Sequence, residues 1–151
     1  MASEQLTAVI EMLRSQPLLA DVGFDEMRRG MELMTAAAPL PEGLECEAVS
    51  ADGVSCEWIC AAGADSERVL VYLHGGGYTL GSVSTHRGLV GRLSAAASMR
   101  CLAVDYRLAP EHPHPAAVED ATRAYRWLLS QGVDASSLAL AGDSAGGGLT
   151  A

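Results

Sequence analysis

Apolar residues recur at helical spacing in the first forty residues of the chain. Between residues 4 and 15 an apolar stripe predicts a helix, and Ser3 stands where its cap is expected. A second helix is predicted over about 25–36, which carries a stripe of Met27, Met31 and Met34 and is followed by prolines. The methionine stripe has two interpretations, which are packing against a core and a flexible apolar lid over a substrate entrance.

The hydrophobic pattern changes to strands from about residue 45. Segments 45–51 and 54–61 flank Asp52-Gly53, a two-residue turn signal that predicts an antiparallel hairpin at one edge of a sheet. Apolar runs at 69–73, 101–105 and 138–141 then alternate with helical patterns near 85–98 and 115–131. This alternation predicts an α/β fold with a mostly parallel sheet that helices flank on both faces.

Composition narrows the class of protein. The chain has 151 residues, of which 49% are hydrophobic and 19% charged, so it is expected to build one globular core. Its net charge is −9 and all ten basic residues are arginine, which argues against binding to nucleic acid or to anionic lipid. The sequence shows neither a membrane-spanning apolar stretch nor a signal-peptide pattern, so a cytoplasmic location is expected.

The cysteine spacing predicts neither a disulfide nor a metal site. Cys56 and Cys60 lie on one predicted strand, roughly 13 Å apart at about 3.3 Å per residue, which is too far for a disulfide. Cys46 and Cys101 have no ligand-like spacing to them or to a histidine. We interpret all four as small buried hydrophobic residues, and we expect no metal.

A serine stands between a predicted strand and a predicted helix start. The apolar run 138–141 leads directly into Gly142-Asp143-Ser144-Ala145-Gly146. Glycines two residues before and after Ser144 allow a sharp turn that exposes the hydroxyl at the end of a sheet. The G-x-S-x-G pattern alone is also compatible with an ordinary serine turn that caps a helix.

A run of three glycines strengthens the catalytic interpretation. Gly75, Gly76 and Gly77 follow the apolar strand 69–73 and His74, and they let backbone N–H groups approach a ligand closely. Because parallel strands end at the same edge of a sheet, this loop and the serine turn are expected to meet there. Such a meeting would form an oxyanion hole beside a nucleophile.

The same glycines also permit a dinucleotide-binding interpretation. Gly75, Gly77 and Gly81 precede a helix and a strand that ends in Asp105, an arrangement similar to a nucleotide-binding βαβ unit. The spacing departs from that pattern because position 80 is Leu80, and Ser144 has no role in it. We therefore favour the nucleophile hypothesis.

Three blocks together resemble the bacterial hormone-sensitive-lipase-like esterases, which are α/β-hydrolases. They are His74–Tyr78 (HGGGY), Asp105–Pro113 (DYRLAPEHP) and Gly142–Gly147 (GDSAGG). The resemblance runs from about residue 45 to the end. It implies a helical cap or lid segment over residues 1–42 and the first part of a catalytic domain over 43–151.

The resemblance also implies a role for each residue of the motifs. Ser144 would be the nucleophile, and the backbone N–H groups of Gly76, Gly77 and Ala145 would form the oxyanion hole. Gly75 would enable the turn, His74 would brace the glycine loop, and Asp143 would support the serine motif. Arg107 and Glu111 would form a buried ion pair; the alternative is an ordinary surface salt bridge of little energetic value.

The implied activity is hydrolysis of short-to-medium acyl esters, without metal or organic cofactor. The expected partner is a small ester, and a homodimer is among the expected assemblies. Two alternatives are a non-hydrolytic receptor similar to the plant gibberellin receptors, and an amidase or formamidase with the same machinery.

The acid and histidine of a triad are not assigned in this chain. In the fold's usual order they follow the serine, whereas His86, His112 and His114 precede it, and Asp120 is expected to be solvated or packed on a helix. We expect the sequence to represent the front half of a protein about twice as long.

Overall fold

The computed structural model describes residues 3–15 and 22–151, and the elements follow the predicted order. Helices α1 and α2 span Glu4–Ser15 and Phe24–Ala36. The remaining α-helices and strands are β1 Glu45–Ala51, β2 Val54–Cys60, β3 Asp65–Leu73, α3 Val83–Ala97, β4 Met99–Val104, α4 Ala116–Ser130, β5 Leu138–Gly142 and α5 Ala145–Leu149.

Within these described ranges, five strands form one sheet in the order β1-β2-β4-β3-β5. The predicted hairpin is present: β1 and β2 pair antiparallel and lie at one edge. Strand β2 pairs antiparallel with β4, whereas β3 pairs in parallel with both β4 and β5. All strands except β2 therefore run in the same direction, which confirms the mostly parallel sheet.

Helices cover both faces of the sheet. Successive side chains of a central strand point to opposite faces, and those of β3 are apolar on both. On β3, Val69, Val71 and Leu73 join the buried cluster that includes Leu128 of α4. Leu70 and Tyr72 face the other side, in the cluster that includes Val90 of α3. This two-sided burial explains the uninterrupted apolar runs of the predicted parallel strands.

The position of β3 decides where a site can form. The chain leaves β3, crosses to β4 on one side, and then crosses to β5 on the other side. The loops that follow β3 and β5 therefore begin at neighbouring carboxyl ends, Leu73 and Gly142, which are register partners. A crevice at such a reversal of strand order is the usual binding position in open α/β sheets.

Helix α2 lies outside the two-sided core. None of its residues is buried, and Met34 of the predicted methionine stripe is 78% exposed. Met27 and Met31 are half-buried. The stripe is therefore not part of a buried core, and the lid interpretation stays a prediction.

The cysteines differ in their surroundings. Cys56 and Cys101 are buried, as predicted, and burial raises the pKa of each thiol to about 12. The expectation is wrong for Cys46, which is exposed, and Cys60 is only partly buried. All four thiols are unpaired in the described part of the chain.

Two further observations apply to the described residues only. Among them, no helix has both the length and the apolar character that crossing a bilayer requires. The same residues contain no cluster of three or more histidine, cysteine, aspartate or glutamate side chains that is arranged to hold a metal ion.

Candidate active site

Ser144 occupies a strained turn between β5 and α5. Its backbone has φ 49° and ψ −117°, a left-handed conformation that L-residues rarely adopt. The side chain is exposed, and its hydroxyl has no hydrogen-bond partner within residues 3–15 and 22–151. The turn therefore presents a free hydroxyl at the carboxyl edge of the sheet.

The glycines around Ser144 are required by close backbone approach. A Cβ atom at Gly142 would lie 2.6 Å from the carbonyl oxygen of Leu73. A Cβ atom at Gly146 would lie 2.6 Å from the carbonyl oxygen of His74 and would also collide with Leu73. The serine turn is thus pressed directly against the end of β3, which only glycine permits at these two positions.

The glycine loop after β3 presents unpaired backbone donors. Gly76 and Gly77 have φ values of 124° and 63°, so both adopt backbone conformations that favour glycine. Their N–H groups, and that of Ala145, donate no hydrogen bond to the part of the chain that the structure describes. Unpaired N–H groups that follow β3 and β5 at one edge are suited to binding a developing negative charge.

Asp143 joins the two loops. Its Oδ1 atom accepts hydrogen bonds from the backbone N–H of Gly75 and from the Tyr72 hydroxyl, both at 2.8 Å. Burial alone would raise the pKa of Asp143, but these two hydrogen bonds lower it overall. The carboxylate therefore stays ionised and fixes the start of the glycine loop beside the serine turn.

His74 packs beneath the glycine loop. Its ring stacks on Tyr106 with centroids 4.3 Å apart, and its Nδ1 atom lies 2.8 Å from the carbonyl oxygen of Gly75. Because a carbonyl only accepts, Nδ1 carries the proton, and Nε2 has no partner in the described part of the chain. Burial lowers the pKa of His74, so the ring is neutral near pH 7.

Sequence reasoning did not identify His86 as a neighbour of the serine turn. The residue lies in the first turn of α3, and its Nε2 atom is 3.5 Å from Asp143 Oδ1. Its ring centroid is 5.4 Å from that of His74. The available signal was its position in the helix that directly follows the glycine loop.

The contact of Tyr72 with Asp143 was also not predicted from the sequence. Tyr72 lies inside an apolar strand, where an aromatic residue is ordinary.

The expected ion pair between Arg107 and Glu111 is wrong. Arg107 binds both carboxylate oxygens of Asp120 at 2.8 Å, while Glu111 pairs with Arg28 of α2 at 2.8 Å. The segment after β4 is not helical, so residues four apart need not face each other. Asp120, expected as solvated or packed, is buried and ion-paired.

A cleft opens beside Gly77 and Tyr78. Its volume is about 370 Å³. The segment after β4 supplies much of its wall, including His112 and His114. Neither histidine is hydrogen-bonded to Ser144 within the described residues.

Asp105 does not have the environment that the dinucleotide hypothesis requires. Its Oδ1 atom accepts the backbone N–H of Val83 at 3.2 Å, at the start of α3. The carboxylate is thus engaged with the helix N-terminus that a pyrophosphate would need. This contact argues against the nucleotide-binding alternative.

Comparison with known proteins identifies relatives of the chain. Residues 70–151 match a family described as having the alpha/beta hydrolase fold. An acetyl-hydrolase of Streptomyces hygroscopicus is 54% identical over 61% of this chain and 30% of its own length. An ethyl acetate hydrolase of Pseudomonas putida is 49% identical over 53% of this chain and 26% of its own length.

A solved structure extends the similarity to nearly the whole chain. An esterase from the bacterial hormone-sensitive lipase family superposes with a TM-score of 0.88 at 47% identity. The match covers 99% of this chain and 50% of that esterase. The chain therefore spans about half the length of this solved relative.

Proposed function

Because the chain belongs to the hormone-sensitive-lipase-like esterases of the α/β-hydrolase family, we propose that it carries the nucleophile and oxyanion donors of a serine carboxylesterase. The observation that carries this proposal is the free hydroxyl of Ser144 in a strained turn beside unpaired backbone donors. The alternatives of a non-hydrolytic receptor and of an amidase have no specific observation in their favour.

The proposed reaction is acyl transfer in two steps. As the Ser144 proton passes to a general base, Oγ forms a bond to the ester carbonyl carbon, and the carbonyl oxygen becomes an oxyanion. The oxyanion collapses, the carbon–alkoxy bond breaks, and the departing alkoxide takes the proton from the base. Water then attacks the acyl-enzyme by the same route, which releases the acid and restores the serine.

The backbone N–H groups of Gly76, Gly77 and Ala145 stabilise the oxyanion in this proposal. They are unpaired within the described residues, so they need not exchange an existing hydrogen bond for the new one. Loss of one such donor typically lowers kcat by about 10²–10³-fold. The proton acceptor is not assigned to a residue of this chain, because triad histidines in this fold follow the serine.

The proposed substrates are short-to-medium acyl esters. The cleft beside Gly77, at about 370 Å³, is near the lower end of the usual range for small-molecule sites. By their names, one relative hydrolyses ethyl acetate, a small ester, and another hydrolyses an acetyl group, which supports short acyl substrates here.

Residues 1–42 are proposed as a cap and 43–151 as the front part of the catalytic unit. In support, α2 lies outside the sheet's layers and contacts the loops after β3 and β4 through Arg28. A homodimer and a cytoplasmic location stay predictions, which light scattering and cell fractionation would test.

The decisive experiment removes the hydroxyl. Ser144→Ala in the full-length protein should abolish hydrolysis of p-nitrophenyl acetate and butyrate and prevent labelling by a fluorophosphonate probe. Ser130→Ala, at an exposed serine near the end of α4, is the matched control and should retain both. Wild-type protein that binds esters but neither hydrolyses them nor labels would instead indicate a receptor.

A further inference from the structure

Arg28 of α2 contacts two segments, which are the glycine loop after β3 and the segment after β4. Its Nε donates to the carbonyl oxygen of Thr79 at 2.8 Å, in the glycine loop. Its Nη2 donates to the carbonyl oxygen of Ala109 at 2.9 Å, in the segment after β4. The two loops are also directly joined, because the N–H of Ala109 donates to the carbonyl oxygen of Tyr78 at 2.8 Å.

The guanidinium of Arg28 is held by a carboxylate of the segment after β4. Glu111 accepts from Nη1 at 3.0 Å and from Nη2 at 2.8 Å, in a two-point pair that fixes the plane of the group. Asp25, one helical turn earlier on α2, lies 3.5 Å from Nη1. The Arg28 side chain is only 23% exposed, so its guanidinium group is oriented by contacts on several sides.

Hydrogen bonds within the glycine turn connect the Arg28 contact at Thr79 to the Gly77 N–H, one of the proposed oxyanion donors. The backbone N–H groups of Thr79 and Leu80 both donate to the carbonyl oxygen of Gly76, at 3.1 and 2.9 Å. The Gly76 carbonyl and the Gly77 N–H belong to one planar peptide unit, so fixing the first orients the second. Arg28 holds the Thr79 carbonyl, which is the far end of this turn.

We infer that Arg28 is a positioning residue for the oxyanion hole, and that it couples α2 to the direction of the Gly77 N–H. This inference rests on the proposed esterase function. The residue does not touch the reacting atoms; it acts through Thr79 and Ala109 on the turn that carries the donor.

Positioning and purely structural roles predict different measurements. A tether that only stabilises the fold would lower the melting temperature and leave kcat of the folded enzyme unchanged. A misaligned donor weakens transition-state binding more than substrate binding, so kcat falls while KM changes little. Local loosening of the turn should also speed amide hydrogen exchange in a peptide covering residues 75–80.

The test uses the full-length protein with p-nitrophenyl butyrate and the substitutions Arg28→Gln and Arg28→Lys. Arg28→Gln should lower kcat by about 10- to 100-fold, the range expected for a small displacement of a reacting group. KM should stay within about threefold, because substrate binding does not depend on the donor's direction. Arg28→Lys should recover part of kcat, since an ammonium group still donates to one of the two carbonyls.

Arg29→Gln is the matched control, because Arg29 is the next residue on α2, carries the same charge and is exposed. It should behave as wild type in kcat and in amide exchange. Wild-type kcat in Arg28→Gln, or an equal loss in Arg29→Gln, would overturn the inference. If Arg28→Gln does not fold, Arg28→Lys tests the inference instead. Its kcat should then be lower than that of Arg29→Gln, and an equal kcat would overturn the inference.

The two proposals fail in different ways. A wild-type protein without esterase activity would refute the proposed function. Amide exchange over residues 75–80 would still show whether Arg28 holds the glycine turn. Unchanged exchange in Arg28→Gln would refute the tether itself, whatever the activity.

Discussion

Asp143 Oδ1 accepts the backbone N–H of Gly75 at 2.8 Å, and this one hydrogen bond joins the two glycine motifs of the chain. The residues are 68 positions apart in the sequence and meet because β3 and β5 are parallel neighbours. A Cβ atom at Gly75 would lie 2.9 Å from Asp143 Cγ, so the contact also requires glycine. The serine turn and the glycine loop are therefore held in direct contact.

Asp143→Ala should destabilise the protein more than Asp143→Asn. Alanine leaves the Gly75 N–H and the Tyr72 hydroxyl without their shared acceptor, at about 1–3 kcal/mol for each buried group. Because the site is partly exposed, we expect a total loss of about 2–3 kcal/mol in the free energy of unfolding, measured with urea. Asparagine keeps an acceptor oxygen and should lose clearly less; equal losses for both variants would contradict the hydrogen-bond explanation.

Gly146→Ala should be strongly destabilising, whereas Gly147→Ala should cost clearly less. The added Cβ at 146 would collide with the backbone of Leu73 and His74, which cannot move without disturbing the sheet. We expect a loss of at least about 2–3 kcal/mol at this position, in the range of core overpacking. At 147 the nearest atom, the Gly142 carbonyl oxygen, is 3.3 Å away, and thermal unfolding of both variants would test the contrast.

Asp120→Ala should cost more stability than Glu119→Ala, although both carboxylates contact Arg107. Asp120 is buried and accepts from both the side chain and the backbone N–H of Arg107, whereas Glu119 is 54% exposed and lies 3.2 Å away. We expect a loss of about 2–3 kcal/mol for Asp120→Ala, since it leaves a backbone N–H unpaired. Glu119→Ala should cost less than about 1 kcal/mol, as exposed pairs do. Chemical denaturation of both variants measures the difference, and equal losses would contradict the burial argument.

The stability of the protein should fall as pH decreases below about 6.5, in part through His74. Burial lowers the pKa of His74 in the folded state from its ordinary 6.5, so the unfolded chain takes up a proton first. The contribution of His74 to the free energy of unfolding is therefore fully present above pH 6.5, and it is lost as the pH falls toward the pKa of His74 in the folded state.

The check compares melting temperatures of the wild type and His74→Asn between pH 7.5 and 5. Asparagine does not titrate, so the variant's melting temperature should fall less over this range than that of the wild type. Parallel pH profiles would show that His74 does not take up the proton on unfolding.

Local sequence patterns were sufficient to predict the helices and strands and the two glycine motifs. The apolar runs of β3, β4 and β5 predicted buried parallel strands, since a strand covered on both faces has no polar face to alternate. Asp52-Gly53 predicted the hairpin, and the glycines around Ser144 predicted the sharp turn. Each of these signals depends on backbone geometry within a few residues, which a sequence displays directly.

Tertiary structure alone decided the side-chain partners. Arg28 meets Glu111 across 83 positions and Tyr72 meets Asp143 across 71, whereas the pair that the family resemblance implied, Arg107 with Glu111, does not form. Which of two nearby carboxylates an arginine reaches depends on how α2, α4 and the loops are placed around the sheet. Hydrophobic periodicity specifies faces and turns, but it carries no information on the direction of a long charged side chain at the surface of the fold.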